Sequence, residues 1–252
     1  MRRVSALVAA TALLLAACGI DRGARPQSRA VNVGETSAEP VPSSSTTTPD
    51  RSIAVVATAE VAQVAVYDEP QAAERARALD NPNPTYGTTR VFLVKEERGD
   101  WLEVYLPVRP NGSTGWIRRA DVSLTTHTWR IVVELAAHRL TAYEGKEVFL
   151  QAPVGVGTRA TPTPGGIFYT TELIEVLPSQ RSSYGPFAYG LSGYSDVWYD
   201  FAGGDGQFGI HGTGDPSSVG RDASNGCIRM TNDAITQLVQ KLPIGVPVEI
   251  RA

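Results

Sequence analysis

Two segments of the chain combine a single thiol with an imidazole: Ile210-His211-Gly212 and Ser224-Asn225-Gly226-Cys227-Ile228-Arg229-Met230. His211 precedes Cys227 by sixteen positions, and a glycine-rich loop joins them, so the two side chains can meet in space. An imidazole beside a thiol can take its proton and later give it to a leaving amine. The pair therefore predicts acyl transfer through a thioester, the alternative being an inert buried cysteine beside a core histidine.

The number and placement of cysteines and histidines support a chemical role for this pair. The chain has two cysteines, and Cys18 is the expected lipidation site, so Cys227 has no disulfide partner in an exported protein. Gly226 allows a turn that can direct the N–H groups of residues 226 and 227 at one spot beside the sulfur, as an oxyanion requires. His127 and His138 are expected to be solvated surface residues.

The two segments resemble the signature of the YkuD-type L,D-transpeptidases, and Thr161-Pro162-Thr163-Pro164-Gly165-Gly166-Ile167-Phe168 resembles the second landmark of that family. The resemblance runs from Trp129 to Ala252. It implies a β-rich catalytic domain with a cysteine nucleophile. The implied donor is a peptidoglycan tetrapeptide stem, cleaved between the diamino acid at position three and D-Ala, and the acyl group passes to an amine of another stem.

Carried over by position, the resemblance makes Cys227 the nucleophile and His211 the general base and acid. The backbone carbonyl of Gly212 is at the position that often orients the imidazole in this family. Many members have histidine where this chain has Asn225, so no second imidazole is expected at that place. No metal ligand or cofactor is implied.

The remaining residues of the cysteine loop have supporting roles by the same resemblance. Three of them would shape the wall around the oxyanion and the donor peptide: Ser224, Asn225 and Gly226. Arg229 would hold the loop or meet a carboxylate of the substrate. From the residues alone, a salt bridge from Arg229 to Asp222 or Asp233 is an equal alternative.

The N-terminus has the layout of a bacterial lipoprotein leader. Two arginines precede an apolar run that is too short to span a membrane, which predicts a signal peptide over residues 1–17. The run ends in Leu15-Ala16-Ala17-Cys18, which resembles a lipobox, so Cys18 is expected to be lipidated. The alternative is an ordinary signal with cleavage near Ala17. With Cys18 lipidated, the protein is expected to be exported, anchored by lipid in the cell membrane and facing the cell wall.

Three segments follow the leader. Residues 18–52, with Cys18 at their head, lack aromatic residues and are rich in Ser, Thr and Pro, which favours a disordered tether. Residues 53–125 consist of short β-branched or aromatic runs separated by turns, and they resemble a small bacterial SH3-like barrel. Residues 127–252 form the catalytic domain, mainly β, with one helix after Cys227 capped by Thr231 or Asn232.

The segment between Pro178 and Gly209 is rich in aromatic residues. We expect Trp198 and Phe201 to belong to the core, because large rings usually pack there. The steps Tyr184-Gly185 and Tyr189-Gly190 are typical of a loop that caps a cleft.

Composition bounds the function. The 252 residues are 42% hydrophobic, which suffices for a core, and a net charge of −3 without a basic cluster argues against nucleic acid as partner. The leading hypothesis is a peptidoglycan L,D-transpeptidase, a cysteine acyltransferase that forms 3-3 cross-links in cell-wall biogenesis. Two rivals stay open: an L,D-carboxypeptidase with the same acyl-enzyme, and a non-catalytic peptidoglycan-binding lipoprotein. Carbapenem-type β-lactams resemble the acyl-D-Ala bond and are the expected inhibitors.

Overall fold

The computed structural model describes residues 28–30, 53–200 and 204–252. The predicted signal peptide at 1–17, the lipidation site Cys18, Phe201 and almost all of the predicted tether at 18–52 lie outside the described residues. Within that tether, however, strand β1 (Ser28–Ala30) pairs antiparallel with residues 174–176, so this short piece is ordered by a sheet edge. None of the helices in the described ranges is long and apolar enough to span a membrane.

The first module is built from antiparallel strands. Five form one sheet in the order β7-β6-β5-β2-β8: β2 (Ala54–Ala59), β5 (Val91–Arg98), β6 (Trp101–Tyr105), β7 (Thr114–Arg118) and β8 (Val122–His127). A second pair consists of β3 (Gln63–Val66) and β4 (Arg77–Asp80). In β6, Leu102 and Val104 point into the core and their neighbours do not, as the alternation of a strand requires. That this module is an SH3-like barrel stays a prediction.

The second module centres on a long mixed sheet in the order β11-β10-β9-β18-β13-β14-β15-β17, with β1 on the side of β13. Its strands are β9 (Trp129–Glu134), β10 (Arg139–Glu144), β11 (Glu147–Pro153), β13 (Gly166–Val176), β14 (Phe187–Tyr194), β15 (Gln207–His211), β17 (Ile228–Arg229) and β18 (Pro247–Arg251). A parallel pair, β12 (Val156–Gly157) and β16 (Asp222–Ser224), lies outside this sheet. The mainly β fold predicted from the sequence is confirmed.

Two short helices complete the second module: α1 (Arg181–Tyr184) and α2 (Asn232–Val239). The helix expected after Cys227 is α2, and the hydroxyl of Thr231 caps it by accepting a hydrogen bond from the N–H of Ala234 at 3.3 Å. Ile235 and Leu238 are fully buried in the core of the module. The helix thereby packs against β14 and β11 of the sheet.

The two modules share an apolar cluster. Val56 and Val91 of the first module pack with Tyr169 of β13, whose hydroxyl donates to the carbonyl of Val91 at 3.1 Å. His127 lies at this junction. The expectation that it is a solvated surface residue is therefore wrong. Burial lowers the pKa of His127 to about 4, and its Nδ1 accepts a hydrogen bond from the N–H of Trp129.

Two aromatic residues also differ from expectation. Trp198 is 37% exposed instead of lying in the core, because its segment runs along the surface and is held by its backbone carbonyls. Tyr189 is fully buried in β14, and its hydroxyl donates to the carbonyl of Leu242 at 2.9 Å, so it belongs to the core and not to a capping loop. Of the two tyrosines expected in such a loop, only Tyr184 is half-buried beside the site described next.

Candidate active site

The pairing of β15 with β17 brings His211 and Cys227 together. The strands are parallel, with Ile210 opposite Ile228, so the residue before β17, Cys227, lies beside Gly209. The backbone N–H of Gly209 acts on the Cys227 sulfur in the direction that lowers the pKa of the thiol. Side chains two positions apart in a strand share a face, so His211 lies on the same face as Gly209. Both Cys227 and His211 line one cavity on this face.

The orientation of the His211 imidazole is fixed by its neighbour. The side chain is 4% exposed, and Nδ1 lies 2.5 Å from the carbonyl oxygen of Gly212. A carbonyl only accepts, so Nδ1 carries the hydrogen and Nε2 keeps its lone pair. The ring of Tyr184 packs on the imidazole with centroids 5.1 Å apart. The site therefore presents a neutral base whose free nitrogen is Nε2.

Burial and one cation set the protonation of the pair. Burial raises the pKa of the Cys227 thiol, while the Gly209 N–H and the charge of Arg229 act in the opposite direction. Burial, helped by the same Arg229 charge, lowers the pKa of His211 to about 4, against the hydrogen bond to Gly212. The resting site is consequently a neutral thiol with a neutral imidazole, and the proton moves only during the reaction.

Two threonines of the second landmark hold the cysteine loop in place. The hydroxyl of Thr161 donates to the carbonyl of Ser224 at 3.0 Å, and that of Thr163 donates to the carbonyl of Gly226 at 2.8 Å. Ser224 is itself buried and donates through Oγ to the carbonyl of Cys227 at 2.6 Å. These buried bonds give the predicted landmark a structural role that spacing alone did not reveal.

The oxyanion arrangement expected from the sequence is only half available. The N–H of Gly226 donates a hydrogen bond to Ser224 Oγ at 3.1 Å, so it stabilises the loop and is not free to bind an oxyanion. Gly226 has the expected positive φ of 118°. The N–H of Cys227 takes part in no hydrogen bond among the described residues, so it is the donor left for an oxyanion. Asn225 is exposed at the tip of the loop.

Arg229 forms neither of the salt bridges considered from the sequence. Asp222 instead pairs with Nε2 of His138 at 2.8 Å, and no ion pair of the described residues joins Arg229 to Asp233. Arg229 is half-buried, and its buried Nε has no hydrogen-bond partner in the described part of the chain. Its charge acts on both Cys227 and His211. No three His, Cys, Asp or Glu side chains in the described ranges are grouped to hold a metal ion.

Two glycines in neighbouring strands, Gly190 and Gly209, form a row that lines the cavity. Gly190 of β14 pairs with Gly209 on one side and with Glu172 of β13 on the other. Glu172 is 1% exposed and accepts at Oε1 from Gln207 Nε2 at 2.9 Å. Burial raises the pKa of Glu172 to about 7. The signal in the sequence is a glycine in each of two neighbouring strands, Gly190 in β14 and Gly209 in β15, but only the register of the strands places these two side by side.

Gly209→Ala tests how closely the backbones approach in this row. A methyl group at 209 would lie 2.4 Å from the carbonyl oxygen of Tyr189, so β14 and β15 must separate. We expect about 10²-fold less turnover, because a shift of about 1 Å at a reacting group costs that much. Gly165→Ala is the matched control, since its methyl would meet only the Ile250 carbonyl at 3.6 Å. Full activity of the Gly209 variant would contradict this geometry.

The pH dependence of Cys227 alkylation tests the neutral pair. Iodoacetamide reacts with thiolate, and the pKa of Cys227 is raised, so alkylation should rise with a midpoint above the ordinary thiol value of about 8.5. The lowered pKa of His211 leaves the imidazole unprotonated down to about pH 4, so the acylation rate should hold through pH 5. Measuring both in a Cys18→Ala background leaves one thiol. A midpoint below 7 would indicate a thiolate–imidazolium pair instead.

The family model described as the L,D-transpeptidase catalytic domain, YkuD, matches residues 128–250. The protein named YkuD of Bacillus subtilis is 36% identical over 126 residues, which cover 50% of this chain and 67% of that protein. The protein named ErfK/SrfK of Escherichia coli is 30% identical over 170 residues, covering 61% of this chain and 53% of that protein.

A solved structure, the L,D-transpeptidase from Mycobacterium smegmatis, superimposes with a TM-score of 0.39 at 17% identity over 65% of this chain and 91% of that one. The sequence matches place the chain in the transpeptidase class of enzymes. More specifically, the chain belongs to the YkuD family, whose catalytic domain it carries at residues 128–250.

Proposed function

We propose that this protein is a peptidoglycan L,D-transpeptidase acting as a cysteine acyltransferase. The observation that carries the proposal is the placement of Cys227 and His211 on one cavity, with Nδ1 of His211 bound to the Gly212 carbonyl. This arrangement frees Nε2 to take the thiol proton. A non-catalytic wall-binding protein would have no use for a buried base oriented in this way.

Acylation follows from these atoms. The sulfur of Cys227 attacks the carbonyl of the third residue of a donor stem while its proton passes to Nε2 of His211. The N–H of Cys227 and the nearby charge of Arg229 stabilise the oxyanion. The C–N bond to D-Ala breaks, the imidazolium gives its proton to the leaving amine, and a thioester remains.

Deacylation uses the same groups in reverse. An amine of a second stem attacks the thioester carbonyl and loses a proton to His211. The C–S bond breaks, and the thiolate takes that proton back. The products are a 3-3 cross-link and the free thiol, so atoms and protons balance without a cofactor. Water in place of the amine would make the enzyme an L,D-carboxypeptidase.

The cellular setting belongs to the same proposal. Lipidation at Cys18 would anchor the exported protein in the cell membrane, and a tether up to residue 52 would let the folded modules reach the wall. The modules are those assigned from the sequence, an SH3-like domain at 53–125 and the catalytic domain at 127–252. Donor and acceptor stem peptides are the partners.

Mass spectrometry of a purified tetrapeptide muropeptide incubated with the full-length chain tests the proposal. Release of D-Ala together with a cross-linked dimer supports transpeptidation. Release of D-Ala without dimer supports the carboxypeptidase, and an unchanged muropeptide rejects both. A carbapenem should add its mass to the peptide that contains Cys227, because its strained acyl bond resembles the donor.

A further inference from the structure

Residues of the first module reach the cavity of Cys227 and His211. Thr85 and Tyr86, in the loop between β4 and β5, line this cavity together with the catalytic pair. Tyr86 also packs against Ile174 and Ala188, which belong to the central sheet of the second module. The wall of the cavity is thus built from both modules.

A second contribution comes from Arg109, also in the first module. Its guanidinium donates hydrogen bonds to three backbone carbonyls of the surface segment that follows β14. Nη1 donates to the carbonyl of Asp205 at 2.7 Å, and Nη2 donates to the carbonyls of Trp198 at 2.8 Å and Ser195 at 3.0 Å. The same group stacks on the rings of Tyr194 and Tyr199, each with 4.7 Å between Cζ and the ring centroid. One side chain therefore holds the backbone at residues 195, 198 and 205.

This segment ends in the cavity. Asp205 and its flanking glycines at 204 and 206 line the cavity beside Gln207. Gln207 Nε2 donates to the carbonyl of Leu191 at 2.8 Å and to two further acceptors, so its Oε1 is the atom left for a ligand. Gly206 packs closely on Arg109, since a methyl group at 206 would lie 2.9 Å from Nη2. The wall that Arg109 holds thus offers acceptor oxygens to peptide N–H groups.

We propose that the first module completes the donor-stem site, with Tyr86 as part of its wall and Arg109 as the positioning residue for the wall at Asp205. The inference rests on the proposed function and adds to it a role for a module that is not part of the catalytic family match. Arginine suits this role because its planar fork can reach several carbonyls at once, whereas the ammonium of lysine is a point charge. The guanidinium of Arg109 binds backbone carbonyls of the loop. Arg109 therefore acts through Asp205 and does not touch the reacting atoms.

Arg109→Lys in the full-length chain tests the clamp. We expect the KM for a tetrapeptide donor to rise about tenfold, equivalent to about 1.4 kcal/mol, with kcat within about twofold of the wild type. Alkylation of Cys227 by iodoacetamide should be unchanged, since the catalytic pair is not in contact with Arg109. Arg119→Lys is the matched control in the same module, because Arg119 pairs only with the exposed Glu97. An unchanged KM in Arg109→Lys would overturn the proposal.

Tyr86→Ala tests the wall independently of the clamp, with thermal unfolding to confirm that each variant is folded. Binding of the same donor to a Cys227→Ala background should weaken about tenfold on adding either Arg109→Lys or Tyr86→Ala. This measurement separates the two proposals: a donor that binds but is never cleaved by the wild type rejects the transpeptidase function alone. A donor bound equally well by all variants rejects the role of the first module alone.

Discussion

Replacing Cys227 by alanine is expected to abolish release of D-Ala, by about 10⁴-fold or more, because the variant has no sulfur to attack the donor carbonyl. Cys227 is half-buried and packs only at the edge of the core, so losing the sulfur should cost about 1 kcal/mol of unfolding free energy. The measurements are mass spectrometry of the muropeptide and thermal unfolding of the variant.

Cys227→Ser is the informative companion to the alanine variant. Serine is close to cysteine in size, but its hydroxyl is far less acidic than a thiol and is a weaker nucleophile. Both variants should therefore be inactive and folded. Turnover retained in either would end the assignment of Cys227 as nucleophile.

Replacing His211 by glutamine is expected to lower turnover by about 10²- to 10⁴-fold, the usual contribution of general base catalysis. Because burial raises the pKa of Cys227, almost no thiolate exists at pH 7 unless the imidazole takes the proton. The deficit should shrink as pH rises toward 10, where hydroxide ionises the thiol without help. The comparison requires rates of both proteins across pH 6 to 10.

His138→Gln is the control for this variant. His138 pairs with the exposed Asp222 and is itself partly exposed, so its loss should leave turnover unchanged at every pH. A His211→Gln deficit that stays constant with pH would mean that the imidazole shapes the site without moving a proton.

The chemistry proposed for this protein could be predicted from the sequence because it depends on residue types at fixed spacing. A cysteine next to glycine, with a glycine-framed histidine sixteen positions earlier, predicted the reacting pair and indicated the family. The strands and the helix after the cysteine followed from periodicity, since β-branched runs and an i, i+3, i+4 pattern are local properties. Spacing could not show that the N–H of Gly226 donates a hydrogen bond to Ser224 or that His127 is buried.

The remaining features depend on which distant segments touch, and only the tertiary structure decides that. Gly190 and Gly209 lie side by side because β13, β14 and β15 pair in a register that aligns them. Register is set by packing over the whole sheet. Likewise, Arg109 meets the carbonyl of Asp205 across 96 positions of sequence. The sequence by itself predicted the nucleophile and its base from residue types and spacing. The cavity around them depends on long-range contacts, and the entropic cost of forming these contacts is offset only in the assembled core.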